Sequence, residues 1–186
     1  VLASEKVFVS RDYHFNKVKT FHHMMDERTQ EEPRAWDLEG ATHRAGFKIE
    51  ELVEFVRAAS PSEEDFGQAL SQLHQALDKA VDKVAKKTPA QQDLVGQVDA
   101  LIDTLYFTYG SFVLMGVDPE RIFDIVHQAN MGKIFPDGKA HFDPVTHKIL
   151  KPDDWEEKYA PEPAIKKELQ RQLKAYERHK ERNNTQ

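Results

Sequence analysis

The sequence predicts an all-α protein built as a bundle of five or six helices. Apolar residues recur three and four positions apart through most of the chain, which is the spacing of one face of a helix. Proline, glycine and serine fall between these stretches, at points where helices usually begin or end. With 186 residues, the chain can bury a sizeable core, and we expect residues 1–186 to form one domain.

The elements follow in order along this domain. Ser62 is a good N-cap, Gly116 is a natural residue just past a helix end, and Asp118 followed by Pro119 suits a new helix start. The core is expected over about residues 11–131, an irregular tail over 132–162 and a C-terminal helix over 163–182. Helices are expected over residues 11–27, 42–59, 63–87, 90–115, 118–131 and 163–182. In the tail, 136–138 reads as a turn, and 140–142 and 148–150 are candidates for short paired strands.

Composition excludes several classes of function. The formal net charge is −6, whereas a nonspecific nucleic-acid binder would be basic, so we expect no nucleic-acid partner. The chain has no cysteine, which removes disulfides and thiolate chemistry and is typical of a cytoplasmic protein. No apolar run is long enough to cross a membrane, and the first residues do not resemble a signal peptide, so we expect no membrane partner.

Three glutamates on the second predicted helix are the first candidate site. Glu50, Glu51 and Glu54 lie one, three and four positions apart, so their side chains can point to one side of a helix. Phe47 and Phe55 are interleaved with them, which favours a partly enclosed site over a solvated acidic face, although the solvated face stays open as an alternative. Clustered carboxylates attract a cation, and oxygen ligands suit Mg²⁺ or Mn²⁺.

A second acidic pair lies on the most apolar helix. Asp99 and Asp103 are four residues apart at the edge of its apolar face, and aspartate is a poor residue inside a helix. If this face met the glutamates across the bundle, the acids would form a carboxylate cage for divalent ions. The alternative is a pair of boundary acids bonded to lysine or backbone.

Two kinds of metal enzyme are compatible with such a cage. A di-iron bundle needs Glu-x-x-His on two helices; this sequence has none, and Asp124-x-x-His127 is the nearest match. A Mg²⁺ enzyme acting on polyphosphates also needs cationic or amide groups beside the metal. Candidates for that role are Asn130 and Lys133 at the end of the fifth helix, with Arg44, Lys139, Lys148 and Lys151.

These motifs resemble those of the all-α nucleoside triphosphate pyrophosphohydrolases, the MazG-like and phosphoribosyl-ATP pyrophosphohydrolase-like proteins related to dimeric dUTPases. The resemblance rests on Glu50-Glu51-x-x-Glu54, on Asp99 to Tyr106, and on the tail sequences that follow, and it covers roughly residues 42–155. It implies a four-helix-bundle core, a homodimer, and Mg²⁺-dependent hydrolysis of a nucleoside triphosphate to the monophosphate and pyrophosphate. The further implication is that Glu51, Glu54 and Asp99 bind metal and that Glu50 activates water.

The sequence departs from that family pattern in one ligand. The second motif of the family is Glu-x-x-Asp, and its glutamate falls on Gly96 here. Asp103, one turn after Asp99, is the nearby acid that could restore the ligand count, so we expect it to join Asp99, Glu51 and Glu54 at the metal. Because glycine weakens a helix, we also expect a close approach by another helix or the substrate at Gly96.

The alternative to a Mg²⁺-dependent pyrophosphohydrolase is a catalytically reduced nucleotide binder or a helical interaction protein.

Overall fold

The all-α prediction is confirmed by the computed structural model, which describes residues 10–25, 29–30, 32–88, 93–146 and 148–184. Within those ranges the helices are α1 (Tyr13–Met25), α2 (Leu38–Ala59), α3 (Glu63–Val84), α4 (Leu94–Met115), α5 (Glu120–Met131), α6 (Trp155–Tyr159) and α7 (Glu162–Asn184). An isolated antiparallel bridge joins Phe142 to Ile149 in the two segments predicted as short strands. No helix in the described part of the chain is long and apolar enough to span a membrane.

The chain divides into two compact units. The first comprises Val1–Glu31 and Leu105–Gln186, and the second comprises Glu32–Thr104. Helix α4 begins in the second unit and ends in the first. The expectation that residues 1–186 act as one domain stays a prediction.

In the second unit, local capping determines where α2 and α3 begin. Asp37 accepts a hydrogen bond from the backbone N–H of Gly40, so α2 starts four residues earlier than the apolar pattern predicts. Ser62 accepts from the N–H of Asp65, which confirms it as the N-cap of α3. Arg57 joins the two helices, because its guanidinium bonds Glu63 and lies over the ring of Phe66.

In the first unit, α1 packs against α5 through polar and aromatic side chains. The hydroxyl of Tyr13 donates to Asp124 at 2.9 Å, and the ammonium of Lys17 lies 3.3 Å from the same carboxylate. The ring of His14 lies 4.2 Å from that of Phe123, and its Nδ1 is 2.8 Å from the hydroxyl of Tyr109. These contacts attach α1 to α5 and, through Tyr109, to α4.

The C-terminal helix α7 packs on α5 of its own chain. The side-chain amide of Gln172 accepts from the N–H of Asp118 and donates to its carbonyl, both at 2.9 Å. Glu168, only 8% exposed, accepts two hydrogen bonds from Arg171 at 2.6 and 2.7 Å. The bonds from Arg171 and then Gln172 lower the pKa of Glu168 to about 2.

Several predicted boundaries differ from the structure at their ends. Helix α4 begins at Leu94; the predicted residues 90–92 lie outside the described residues, as do 26–27 at the end of the first predicted helix. Helix α5 begins at Glu120, whose N–H bonds the Asp118 carboxylate, and Gly116 adopts a φ of +68°, as its position after α4 predicts. The short helix α6 was not predicted, because five residues are too few to show a helical period.

Candidate active site

The three predicted glutamates share α2. Glu50, Glu51 and Glu54 are exposed, and Phe55 beside them is 55% exposed while Phe47 is half-buried. The single chain therefore does not enclose the acids on the side of Phe55, where partial enclosure was expected. The helix is long and regular around the acids, so their spacing places them within about one turn of each other.

The two predicted aspartates share the first half of α4, in the same compact unit as the glutamates. Asp99 and Asp103 are exposed. Their helix is attached to the segment before α2 by Gln97, whose side chain accepts from the N–H of Trp36 at 2.9 Å and donates to its carbonyl at 3.1 Å. One helix thus carries the glutamates and the other the aspartates, with a direct link between their N-terminal ends.

The donor chemistry of these acids fits Mg²⁺, since all five offer carboxylate oxygens. Over the part of the chain that the structure describes, however, no three His, Cys, Asp or Glu side chains come close enough together to hold an ion. The structure therefore places the five acids on two helices of one unit and does not bring them together as a cage. Their role as metal ligands stays a prediction.

Gly96 has a local explanation. Asp93 accepts a hydrogen bond from the N–H of Gly96 at 2.9 Å, and a Cβ at Gly96 would overlap the Asp93 carboxylate. The close approach expected at Gly96 is real, but Asp93 of the same chain makes it as the cap of α4. The glutamate of the family pattern would displace this cap.

The predicted phosphate-binding pair at the end of α5 is assembled. The ammonium of Lys133 donates to the side-chain oxygen of Asn130 at 2.8 Å, and both residues are half-buried. Arg44, a further candidate on α2, lies over the ring of Phe47 at 5.6 Å. An amide and an ammonium held side by side can bind phosphate oxygens or a base edge.

The other predicted cations lie in the tail of the first unit. Lys139 closes the turn at Pro136-Asp137-Gly138, its carbonyl accepting from the N–H of Phe135 at 2.9 Å. Lys148 lies at the antiparallel bridge, where its carbonyl accepts from Asp143. The ammonium of Lys151 lies 3.9 Å from the ring centre of Trp155 and 2.9 Å from the Glu156 carboxylate, so it already has two partners.

The nearest match to a di-iron motif has a structural role. Asp124 binds Tyr13 and Lys17 of α1. Burial raises the pKa of Asp124, but the hydrogen bonds from Tyr13 and Lys17 outweigh it and hold the pKa below its ordinary value. His127 is half-buried, and burial lowers its pKa. Together these contacts support packing of α1 on α5 and do not favour the di-iron alternative.

Three residues with clear structural roles were missed in the sequence. Asp93 caps α4, Gln97 binds the backbone of Trp36, and Trp155 donates its indole N–H to the carbonyl of Ala129 at 2.8 Å. The capping role of Asp93 could have been predicted from the sequence, because aspartate is a preferred residue at the start of a helix. The partners of Gln97 and Trp155 lie 61 and 26 residues away, and no local pattern indicates such pairs.

Both the sequence and the fold of this chain match known proteins. The family described as "Phosphoribosyl-ATP pyrophosphohydrolase" matches residues 18–130, more than half of the chain. A crystal structure from Exiguobacterium sp. 255-15, described as a "putative NTP pyrophosphohydrolase", is 39% identical in sequence. It covers 90% of this chain and 99% of its own, with a TM-score of 0.81. The search of curated proteins found no match.

The fold and these matches define an all-α pyrophosphohydrolase. The chain belongs to the phosphoribosyl-ATP pyrophosphohydrolase family. The predicted resemblance is thereby confirmed at the level of family and fold.

Proposed function

We propose that the protein is a Mg²⁺-dependent hydrolase that cleaves a nucleoside triphosphate between its α- and β-phosphates, with Mn²⁺ as a possible substitute. The observation that carries the proposal is the extent of the family match, because residues 18–130 contain the five candidate acids on α2 and α4 and also Asn130. The description of the Exiguobacterium protein supports a nucleoside triphosphate as substrate. The products are a nucleoside monophosphate and pyrophosphate.

Glu51, Glu54, Asp99 and Asp103 would hold the metal in this proposal. Bound Mg²⁺ would neutralise the phosphate oxygens and the charge that develops during bond breaking. Without a cation, carboxylates that converge repel one another and would also repel the substrate. The net charge of −6 makes this compensation necessary for an anionic substrate.

Glu50 acts as the general base. Its carboxylate accepts a proton from a water molecule, and the water oxygen forms a bond to one of the two phosphorus atoms flanking the bridging oxygen. The bond between that phosphorus and the bridging oxygen breaks, and pyrophosphate and the monophosphate separate. Asn130 and Lys133 bind the substrate, with Lys139, Lys148 and Lys151 as further contacts to its phosphates.

In this proposal the protein is a homodimer, in which a second copy of the chain covers the apolar face of α4. None of the 22 residues of α4 is buried in the single chain, although the helix is rich in large apolar side chains. Leu101, Ile102 and Leu105 are 45%, 58% and 48% exposed. An apolar helix face of this kind marks a contact surface between proteins. Because Asp99 and Asp103 lie on the same helix, a second copy on α4 would also enclose the acids.

The oligomer is tested by light scattering after size-exclusion chromatography. Ile102→Glu places a charge on the apolar face and should shift the protein from dimer to monomer. Val145→Glu is the matched control, because Val145 is 84% exposed in a tail turn. A wild-type protein that is monomeric at high concentration would contradict the dimer.

The reaction is tested by incubating the protein with each common ribo- and deoxyribonucleoside triphosphate, with Mg²⁺, with Mn²⁺ and with EDTA. Release of pyrophosphate and the monophosphate, abolished by EDTA, is the expected result. Release of orthophosphate alone would contradict the proposed bond cleavage. Nucleotide binding without turnover would identify a catalytically reduced binder.

The expectations of a cytoplasmic location and of no nucleic-acid partner stay predictions.

A further inference from the structure

The tail holds the end of α5 through one buried hydrogen bond. Trp155, 5% exposed, donates its indole N–H to the carbonyl of Ala129, also 5% exposed, at 2.8 Å. This carbonyl lies in the last turn of α5, where helix carbonyls lack a partner further along the helix. A buried indole N–H equally requires an acceptor. The bond therefore satisfies both groups and fixes the tail against the helix end.

A second contact holds the same turn from α6. Gly132 is buried, and a Cβ there would overlap the ring of Tyr159, so the ring lies directly against the glycine backbone. The ammonium of Lys151 lies over the ring of Trp155 and also bonds Glu156. Residues 129 and 132 are thus held by two aromatic side chains of one short helix.

Asn130 and Lys133, the proposed substrate-binding pair, are the immediate neighbours of the two residues that α6 holds. Asn130 follows Ala129 directly, Lys133 follows Gly132 directly, and the two side chains are bonded at 2.8 Å. The backbone of Lys133 is also fixed, since its N–H donates to the carbonyl of Asn130 at 3.1 Å. Any shift of the chain at residue 129 or 132 would move this pair.

We propose that Trp155 and Tyr159 are positioning residues, which set substrate affinity by orienting Asn130 and Lys133. This inference rests on the proposed nucleotide hydrolysis and on the place of Lys133 in it. Trp155 and Tyr159 themselves make no contact with the reacting atoms in the proposed reaction. Their effect should appear in KM, because the group they position binds the substrate in both the ground state and the transition state.

The decisive variant is Trp155→Phe, which keeps most of the ring but removes the N–H donor. Using the triphosphate that the wild type hydrolyses fastest, we expect KM to rise roughly three- to tenfold while kcat stays within about twofold. Trp36→Phe is the matched control, since Trp36 is the other tryptophan and is 45% exposed. Tyr159→Phe keeps the ring on Gly132 and should leave KM unchanged, whereas Tyr159→Ala should raise it.

A double-mutant cycle shows whether the effect passes through Lys133. Lys133→Ala should raise KM, and adding Trp155→Phe to it should raise KM by a clearly smaller factor than Trp155→Phe does alone, because the ammonium of Lys133 is gone and only Asn130 of the pair is left to position. Fully additive effects would overturn the positioning role, as would a Trp155→Phe enzyme with wild-type KM. If Trp155→Phe fails to fold by circular dichroism, Tyr159→Ala replaces it in the same cycle.

The outcomes also separate this inference from the proposed function. A wild-type protein that releases no pyrophosphate from any triphosphate overturns both. A wild type that hydrolyses a triphosphate, with Lys133→Ala raising KM but Trp155→Phe and Tyr159→Ala both without effect, overturns the positioning role alone.

Discussion

The side-chain amide of Gln97 binds both polar groups of the Trp36 backbone. Its oxygen accepts from the N–H at 2.9 Å, and its nitrogen donates to the carbonyl at 3.1 Å. Gln97 lies in the first turn of α4, and Trp36 lies just before Asp37, the cap of α2. A single side chain therefore links the start of the helix that carries Glu50, Glu51 and Glu54 to the helix that carries the aspartates.

We expect Gln97→Ala to lower the free energy of unfolding by about 0.5–1.5 kcal/mol per hydrogen bond lost. Gln97→Glu keeps an acceptor for the N–H of Trp36 but loses the donor to its carbonyl, so its effect should be smaller at neutral pH. Gln75→Ala, at an exposed position of α3, is the control. Equal stabilities of the Gln97→Ala and Gln75→Ala proteins in urea unfolding would contradict the link.

Gly96 and Asp93 form a coupled pair. In the wild type, Gly96→Ala should be destabilising or neutral, because the new methyl group displaces the Asp93 cap, which is worth about 0.5–2 kcal/mol. After Asp93→Ala removes the cap, the same Gly96→Ala change should stabilise α4 by up to about 1 kcal/mol, since alanine favours a helix. Thermal unfolding of both single variants and the double variant measures this change of sign. Equal effects in both backgrounds would contradict the coupling.

The sequence predicted the helices and the family because both leave local signals. The helices over Phe66 to Val84 and Leu94 to Phe112, and the caps at Ser62 and Gly116, are short-range features that the structure reproduces. The apolar stripes of these two helices also predict a buried core, and that part is wrong for the single chain, because no residue of α3 or α4 is buried in it. Candidate acids could be chosen because Glu50, Glu51 and Glu54 are close in the chain, so their proximity follows from helical geometry alone.

What could not be predicted depends on residues distant in sequence. The pairs Gln97–Trp36, Trp155–Ala129 and Tyr159–Gly132 leave no spacing signature, because each partner is an ordinary backbone group. The approach to Gly96 is a different case, because the expected partner was another helix or the substrate and the actual one is Asp93, only three residues away in the sequence. Periodicity likewise indicates which helices have an apolar face but not what covers α4.

Glu168 should make the packing of α7 on α5 sensitive to acid. Its pKa is about 2 in the folded chain, below an ordinary value of 4.5. A lowered carboxyl pKa stabilises the fold above pH 4.5, and this contribution disappears as the pH falls from 4.5 through about 2. Glu168→Gln should therefore be clearly less stable than the wild type at neutral pH, with the difference shrinking towards acid.

Urea unfolding at neutral pH and at about pH 3 measures this convergence. Glu177→Gln is the matched control, since Glu177 is an exposed acid of the same helix. A stability difference for Glu168→Gln that does not change with pH would show that the carboxylate charge is not what stabilises this contact.

Glu50→Gln tests the proposed general base. The amide keeps the shape of the carboxylate but cannot accept a proton from water, so kcat should fall by about 10²-fold or more. The increase in melting temperature on adding Mg²⁺ should largely remain, because the predicted ligands are unchanged. Glu64→Gln, at an exposed position in the first turn of α3, controls for a general loss of charge. Full activity in Glu50→Gln would identify Glu50 as a surface acid.

Asp99→Asn and Asp103→Asn test the ligand count that Gly96 leaves open. Asp99 and Asp103 lie one turn apart on α4, so removing the charge of one relieves repulsion between the two, and Asp103→Asn should be as stable as the metal-free wild type or more stable. The same change should raise the Mg²⁺ concentration needed for half-maximal activity, and Asp99→Asn should do so more severely. A Mg²⁺ titration of activity for both variants measures this, with Asp78→Asn on α3 as the control. Wild-type Mg²⁺ dependence in Asp103→Asn together with an inactive Asp99→Asn would make Asp103 a boundary residue and leave Glu51, Glu54 and Asp99 as the ligands.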